Sequence, residues 1–177
     1  MFKKIMSFFT KEKKDRTAIG LKDMLTGDMV DYDMKTWEVI SRNRYDWGGE
    51  DSYEWQLRSS DDMFYLEFGD EEEYEFSISR KIDINELDSE IFKEISSTDE
   101  APEEIKYKDT KFYLSEISSG YFYEGCKGEG EPFVAYDYTS EDGNSYLTIE
   151  QWGERSFEAS IGKDVEDYQF TNFLPGS

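Results

Sequence analysis

Apolar and polar positions follow two periods along this chain. Tyr53, Trp55 and Leu57 alternate with Glu54 and Gln56, and Phe64, Leu66 and Phe68 alternate with Tyr65 and Glu67. Tyr74, Phe76 and Ile78 continue the pattern. A period of two marks a strand with one buried face. Earlier strands are predicted over 29–33 and 37–45. The connections are short and rich in turn formers: 33–35, Gly48-Gly49, 59–62 and the acidic 70–73. Strands joined this closely pair antiparallel, as a meander. The period then changes. Ile84, Leu87, Ile91 and Ile95 share a helical face, and Asp83 with Glu86 resembles a capping box, which predicts a helix over 84–95. Residues 96–104 contain Pro102 and read as a linker. Strand patterning resumes over 105–107, 112–117, 121–123, 133–138, 146–152 and 157–161, with Asp142-Gly143 as a hairpin turn. A helical turn is expected over 21–26, ended by Gly27. Residues 165–174 read as a terminal strand or short helix.

The two strand-rich halves align with each other. Trp37-Glu38-Val39 lies over Phe112-Tyr113-Leu114, Trp55-Gln56-Leu57 over Tyr136-Asp137-Tyr138, and Tyr65-Leu66 over Tyr146-Leu147. Tyr74-Glu75-Phe76-Ser77-Ile78 lies over Phe157-Glu158-Ala159-Ser160-Ile161. Turns and strand phases agree together. The expected fold is mainly β: two tandem related antiparallel meanders, as small SH3-like barrels or as halves of one sandwich. One helix connects them, and a short helix precedes them. The corresponding segments are a leader over 1–16, a first β repeat over 17–82, a helix and linker over 83–104, and a second β repeat over 105–177.

Composition decides whether such a chain folds. Among 177 residues, 42 are Asp or Glu and 20 are Lys or Arg, a net charge of −22. Such charge favours disorder when apolar residues are few. Here 17% of the chain is aromatic, and rings bury large areas and favour strands. An ordered body with a ring-rich core and an acidic exterior is expected. There is no histidine and one cysteine, Cys126. His-based triads, an internal disulfide and multi-Cys zinc sites are thereby excluded.

The charge is not evenly spread. Residues 1–16 carry +4, so the remainder carries −26. Phe2, Ile5, Met6 and Phe9 fall on one helical face beside Lys3 and Lys4. These six residues are the candidate contact with an anionic membrane surface, lying in the interface rather than crossing it. The plain alternative is a frayed leader. The apolar run is too short for a signal peptide, and with the lone Cys126 this points to the cytoplasm.

A family resemblance rests on Glu150-Gln151-Trp152-Gly153, with Tyr136-Asp137-Tyr138, Leu147-Thr148-Ile149, Phe157-Glu158-Ala159-Ser160 and Leu174-Pro175-Gly176 around it. Upstream, Gly27-Asp28, Trp37-Glu38-Val39 and Tyr53-Glu54-Trp55-Gln56-Leu57 belong to the same pattern. Together they resemble the bacterial family known as domain of unknown function 4178, over roughly residues 20–175. Of these pieces, 150–153 is the most specific, and its role is unknown. The family has no established activity, so the resemblance implies no catalytic residues. It implies a bacterial source and, for some members, a link to membrane stress.

Each candidate site has a structural reading beside it. Asp137, Glu141, Asp142 and Asn144 suggest calcium, but the glycine falls at the wrong place for an EF-hand, and a solvated hairpin tip explains them. The run 70–73 reads as an exposed turn. Glu150 with Glu154, or Glu67 with Glu75, suggests an acid/base pair, with nothing in the sequence to bring either pair together. Cys126 lacks a histidine to activate it. Trp37, Trp47, Trp55 and Trp152 are suited to stacking bases, yet a body charge of −26 repels nucleic acid, so core positions are expected.

No catalytic, metal or cofactor site is therefore expected. The favoured reading is a non-enzymatic cytoplasmic binding or scaffold protein with a protein partner, its leader offering a peripheral contact with the inner membrane. The first alternative is an acidic decoy, immunity-like or DNA-mimicking, that occupies a basic partner. The second is a carboxylate-dependent enzyme, which two convergent desolvated acids in a concave site would favour.

Overall fold

The computed structural model describes residues 16, 18–69 and 76–177. The membrane-contact candidates Phe2, Lys3, Lys4, Ile5, Met6 and Phe9, the short N-terminal helix and the 70–73 turn lie outside those residues. Eleven strands form one antiparallel sheet: β1 Met29–Tyr32, β2 Lys35–Asp46, β3 Asp51–Arg58, β4 Met63–Phe68, β5 Phe76–Ile82, β6 Glu104–Tyr107, β7 Thr110–Tyr123, β8 Glu131–Ser140, β9 Tyr146–Gly153, β10 Ser156–Val165 and β11 Thr171–Leu174. A single α-helix among the described residues, α1 Ser89–Thr98, separates β5 from β6.

The strand order is β11-β1-β2-β3-β4-β5-β10-β9-β8-β7-β6, and β2 also pairs with β7. That extra pairing closes a ring of eight strands, β2 to β5 and β7 to β10. The two seams join strands that correspond in the two halves. At one, Arg44, Tyr45 and Asp46 pair with Tyr123, Phe122 and Tyr121. At the other, β5 pairs with β10 from Phe76↔Val165 to Ile82↔Ala159. Each seam is tight at a glycine. A Cβ on Gly120 would stand 2.5 Å from the Asp46 carbonyl oxygen, and one on Gly162 would stand 2.9 Å from that of Ile78.

Two bulges give the sheet its two-faced character. In β2 the register shifts between Val39 and Ser41, and in β7 between Leu114 and Glu116. An extra residue moves the following alternate side chains to the opposite face. Before the bulges, Trp37, Val39 and Phe112 face apolar cores. After them, Ser41, Asn43, Tyr45, Glu116, Ser118 and Phe122 face the inside of the ring. The alignment of residues 37–39 with 112–114 therefore ends, in both strands, at the same kind of irregularity.

The apolar cores lie on the outer face of the ring. One gathers Trp37, Val39, Trp55, Leu57, Phe64 and Leu66, each at most 1% exposed, under Leu21, Met24, Val30, Tyr32 and Phe170. The other packs Phe112, Tyr136, Tyr138, Leu147 and Ile149 beneath Leu87, Ile91, Ile95, Ile105 and Tyr107. The core tryptophans keep their indole N–H groups bonded. Trp37 donates to the Tyr32 carbonyl and Trp55 to that of Met24, both at 2.9 Å.

Several boundaries differ from the sequence reading. The helix starts at Ser89 and runs to Thr98, with Asp88 as N-cap accepting from the Glu90 N–H. Asp83 instead caps a separate 3-10 turn, Ile84–Glu86, by accepting from the Asn85 N–H. Two acidic caps in succession split the apolar period that predicted one helix over 84–95. The turn expected over 21–26 is the 3-10 segment Leu21–Asp23. Segments 112–117 and 121–123 are one strand, β7, because Gly120 lets the chain pass close to Asp46. The terminal segment holds both alternatives, a 3-10 turn Asp167–Gln169 and then β11.

Candidate functional site: a polar lumen

Part of the acidic polar face expected outside lines the inside of the ring. The lumen has a volume of about 1590 Å³. Every one of the eight strands contributes its polar face: Asn43 and Tyr45 from β2, Glu54 and Gln56 from β3, Tyr65 and Glu67 from β4, and Ser79 and Lys81 from β5. The second half adds Ser118 from β7, Asp137 from β8, Thr148 and Glu150 from β9, and Glu158 and Ser160 from β10. Eleven of the lining residues are acidic and one, Lys81, is basic.

The side chains are held in place by one another. Glu54 accepts from the Asn43 amide at 2.9 Å and from the Tyr45 hydroxyl at 3.1 Å. Glu150 Oε1 reaches across the lumen to the same hydroxyl at 3.5 Å. Trp47 donates to Ser52 at 3.0 Å, and Ser52 donates to Glu67 at 2.9 Å. Thr148 donates to Asp137 at 2.6 Å, and Tyr146 to Asp164 at 2.6 Å. Lys81 pairs with Glu158 at 2.5 Å.

A tyrosine hydroxyl has one hydrogen. Tyr45 cannot donate to both carboxylates, so a proton on Glu150 completes the arrangement by bonding the phenolic oxygen while Tyr45 donates to Glu54. The electrostatics agree. Burial, together with the carboxylates of Glu54, Glu158 and Glu67, pushes Glu150 up to about 8, against a lowering by Lys81. Glu54 is also raised by burial, opposed by its bonds from Asn43 and Tyr45. Burial, with the carboxylates of Glu54, Glu150 and Glu67, raises Tyr45 well above its ordinary value, so it remains a neutral donor.

Rings close one end of the lumen beside the β2–β7 seam. Tyr45 stacks on Trp47 with centroids 5.6 Å apart, and Phe133 stacks on Trp152 at 5.0 Å. Phe122 meets Trp152 edge-on at 5.6 Å. The indole nitrogen of Trp152 is buried with no hydrogen-bond partner.

The residues singled out in the sequence are now placed. Glu150 and Trp152 of the 150–153 segment face the lumen, and Gln151 on the outer face accepts from Tyr136 at 3.0 Å. Gly153 ends β9. Asp137 is inside the ring, whereas Asp142 sits at the hairpin tip, accepting from Ser140 and the Asn144 N–H, so these residues, already set aside as calcium ligands, do not converge. Among the described residues, no three acidic or thiol groups are arranged to hold a metal ion. Cys126 is half-buried, with its thiol against the Arg42 carbonyl at 3.4 Å. Trp37 and Trp55 are core residues, but Trp47 and Trp152 line the lumen.

Two distant pieces of the family pattern meet. Gly27-Asp28 lies against Leu174-Pro175-Gly176: the fully buried Asp28 accepts from the Gly176 N–H at 2.8 Å. The same carboxylate accepts from the Leu25 N–H at 2.7 Å and takes both terminal nitrogens of Arg16 at 2.9 and 2.5 Å.

Residues 25–167 match the family described as Domain of unknown function (DUF4178). The chain belongs to this family. The match covers all eight ring strands and stops before β11. An uncharacterized protein of the bacterium Aquifex aeolicus (strain VF5) is 26% identical over 176 residues, covering 97% of each chain. No solved structure matches. Among the described residues, no helix is long and apolar enough to cross a membrane.

Sequence reasoning missed Tyr45, Glu54, Lys81 and Glu158 as parts of one site. The available signal was the size of the residues on the polar strand faces. Ser41, Asn43, Ser77, Ser79, Thr148 and Ser160 are short where a solvent-facing strand commonly carries long charged side chains.

Proposed function

We propose that this DUF4178 protein is a non-enzymatic binding protein whose lumen takes a small polar molecule. One observation carries the reading: the polar faces of all eight ring strands surround a lumen of about 1590 Å³. Ligand pockets occupy about 300–1,000 Å³ and sit in the mouths of barrels, so this space is ample. Its walls rest on strands, and their side chains are fixed by the bonds described above, which keeps the cost of ordering a site low.

Thermal unfolding tests the proposal. Glucose, glucosamine, 1,4-diaminobutane and spermidine are titrated separately. A lumenal ligand at 100 times its Kd adds about 2.7 kcal/mol. At about 2–4 °C per kcal/mol for a chain of this size, the midpoint rises by about 5–10 °C. Replacing inward-facing Ser160 or Ser79 by Trp plugs the lumen and abolishes the rise. A rise that both plugged variants retain refutes lumenal binding.

A second reading, carboxylate-dependent catalysis, is favoured by the meeting of Glu54 and Glu150 through Tyr45 in a concave site. It predicts chemical change of a bound ligand, followed by mass spectrometry, that Glu150→Gln abolishes while binding persists.

A further inference from the structure

The lumen is charged as well as polar, and its charge is unbalanced. Of the eleven acidic lining residues, Glu54, Glu67, Asp137, Glu150, Glu158 and Asp164 are not exposed, and Lys81, the one basic lining residue, is already paired with Glu158. A partly buried wall of one predominant sign focuses the field and draws in the opposite charge. The carboxylates form an extended series: Glu67 stands opposite Glu54 on the neighbouring strand, Glu54 and Glu150 meet at the Tyr45 hydroxyl, and Glu158 and Asp164 lie on β10, yet no three form a metal cage among the described residues. A divalent ion needs several oxygens within about 2.0–2.6 Å, which this spacing does not supply. An extended cation with charges several ångströms apart fits it. Inward residues opposed on neighbouring strands, as Glu54 and Glu67 are, stand about 5 Å apart, the scale of the spacing between neighbouring amines of an aliphatic polyamine. The aromatic end adds a complementary surface, because ammonium groups and their methylenes pack favourably on the faces of Trp and Tyr.

We propose that the occupant of the lumen is an organic cation carrying two or more ammonium groups, held between Glu54, Glu67 and Glu150 with its carbon chain against Trp47 and Trp152. The inference rests on the lumenal binding reading and names its ligand. In the free protein a proton on Glu150 serves as the missing counter-charge. The groups facing Glu150 are Tyr45 from β2, Glu54 from β3, Tyr65 and Glu67 from β4, Lys81 from β5 and Glu158 from β10. Only Lys81 among them is cationic. A bound ammonium takes over the proton's role, so binding near pH 7.5 releases a proton from Glu150.

Isothermal titration of the full chain with spermidine at low salt and pH 7.5, in phosphate and in Tris, tests this. The expected result is saturable binding with a heat that differs between the buffers, as proton release requires. Glu150→Gln removes the buffer dependence. The double change Glu54→Gln and Glu150→Gln weakens binding at least tenfold. Changing Glu141→Gln and Asp142→Asn, at the hairpin tip outside the lumen, alters affinity less than twofold. Circular dichroism confirms that each variant is folded. Equal weakening by the tip and lumen variants, or binding unaffected by the lumen pair, assigns spermidine to the outer surface and overturns the proposal. Preferential binding of Mg²⁺ or Ca²⁺ that excludes spermidine overturns it as well. If glucose binds in a way that the Ser160→Trp plug abolishes while spermidine does not bind, the cation falls and the lumenal reading stands. If no probe responds to the plug, both fall.

Discussion

Glu150→Gln is the substitution with the sharpest consequence for stability. In the unfolded chain this carboxyl loses its proton near its ordinary value of 4.5, whereas in the folded protein it holds the proton to about 8. Between those two values the folded state binds more protons than the unfolded state. Stability therefore falls as pH rises through the window. The loss is complete above about 8 and absent below about 4.5. Each tenfold step in proton affinity is worth about 1.4 kcal/mol, and water entering the lumen screens part of the effect, leaving on the order of 2–4 kcal/mol. Glutamine keeps the shape and cannot ionise. The variant is then more stable than the parent by that amount at pH 9, and close to it at pH 4.5. Denaturant unfolding of both proteins at half-unit pH intervals gives the difference curve directly. A difference that stays flat from pH 5 to 9 refutes the claim that Glu54, Glu158 and the protein interior hold this proton.

The remaining predictions concern the seams and the terminal clasp. Gly120→Ala places a methyl group 2.5 Å from the Asp46 carbonyl and forces the β2–β7 seam apart, costing about 1–3 kcal/mol; Gly162→Ala does the same at the other seam, and hydrogen exchange identifies which strands open. Asp28→Ala leaves Arg16 and the Gly176 and Leu25 N–H groups without their shared acceptor, costing about 1–3 kcal/mol in denaturant unfolding, the cost typical of leaving a part-buried polar group unsatisfied.

How much of this was legible in the sequence depends on the distance over which a residue acts. Strand alternation is local, so the strands from Tyr53 to Leu57 and from Phe64 to Phe68 could be read from their side chains. The hairpin at Gly143 was equally local, since it needs a positive φ and has one of 74°. Alternation also separates an apolar face from a polar one, but it does not say what the polar face meets. Expecting an acidic exterior followed the usual habit of charged residues. Only the pairings of β2 with β7 and of β5 with β10 turn that face inward, and those strands are far apart in the chain. The two bulges had no sequence mark beyond the change from Trp37 and Val39 to Ser41 and Asn43.

The inward face also changes what the acidity of the body means. A charge of −26 outside the leader suggested a surface that repels polyanions and attracts basic proteins. Surface charges in salt water interact weakly beyond about 8–10 Å. Carboxylates facing one another across a lumen are screened far less, and at Glu150 their repulsion adds to the larger effect of burial. Repulsion of that kind destabilises the empty protein and is relieved by anything cationic that enters. The same residues therefore weaken the free fold and strengthen the complex, which ties ligand affinity to pH and stability through one carboxyl. The outer apolar cores make this arrangement tolerable. One outer core buries Trp, Tyr, Phe and Leu side chains and the other Tyr, Phe, Leu and Ile, each beneath covering segments, so the ring does not depend on a packed interior for its stability. A barrel filled with apolar residues would have had no such freedom.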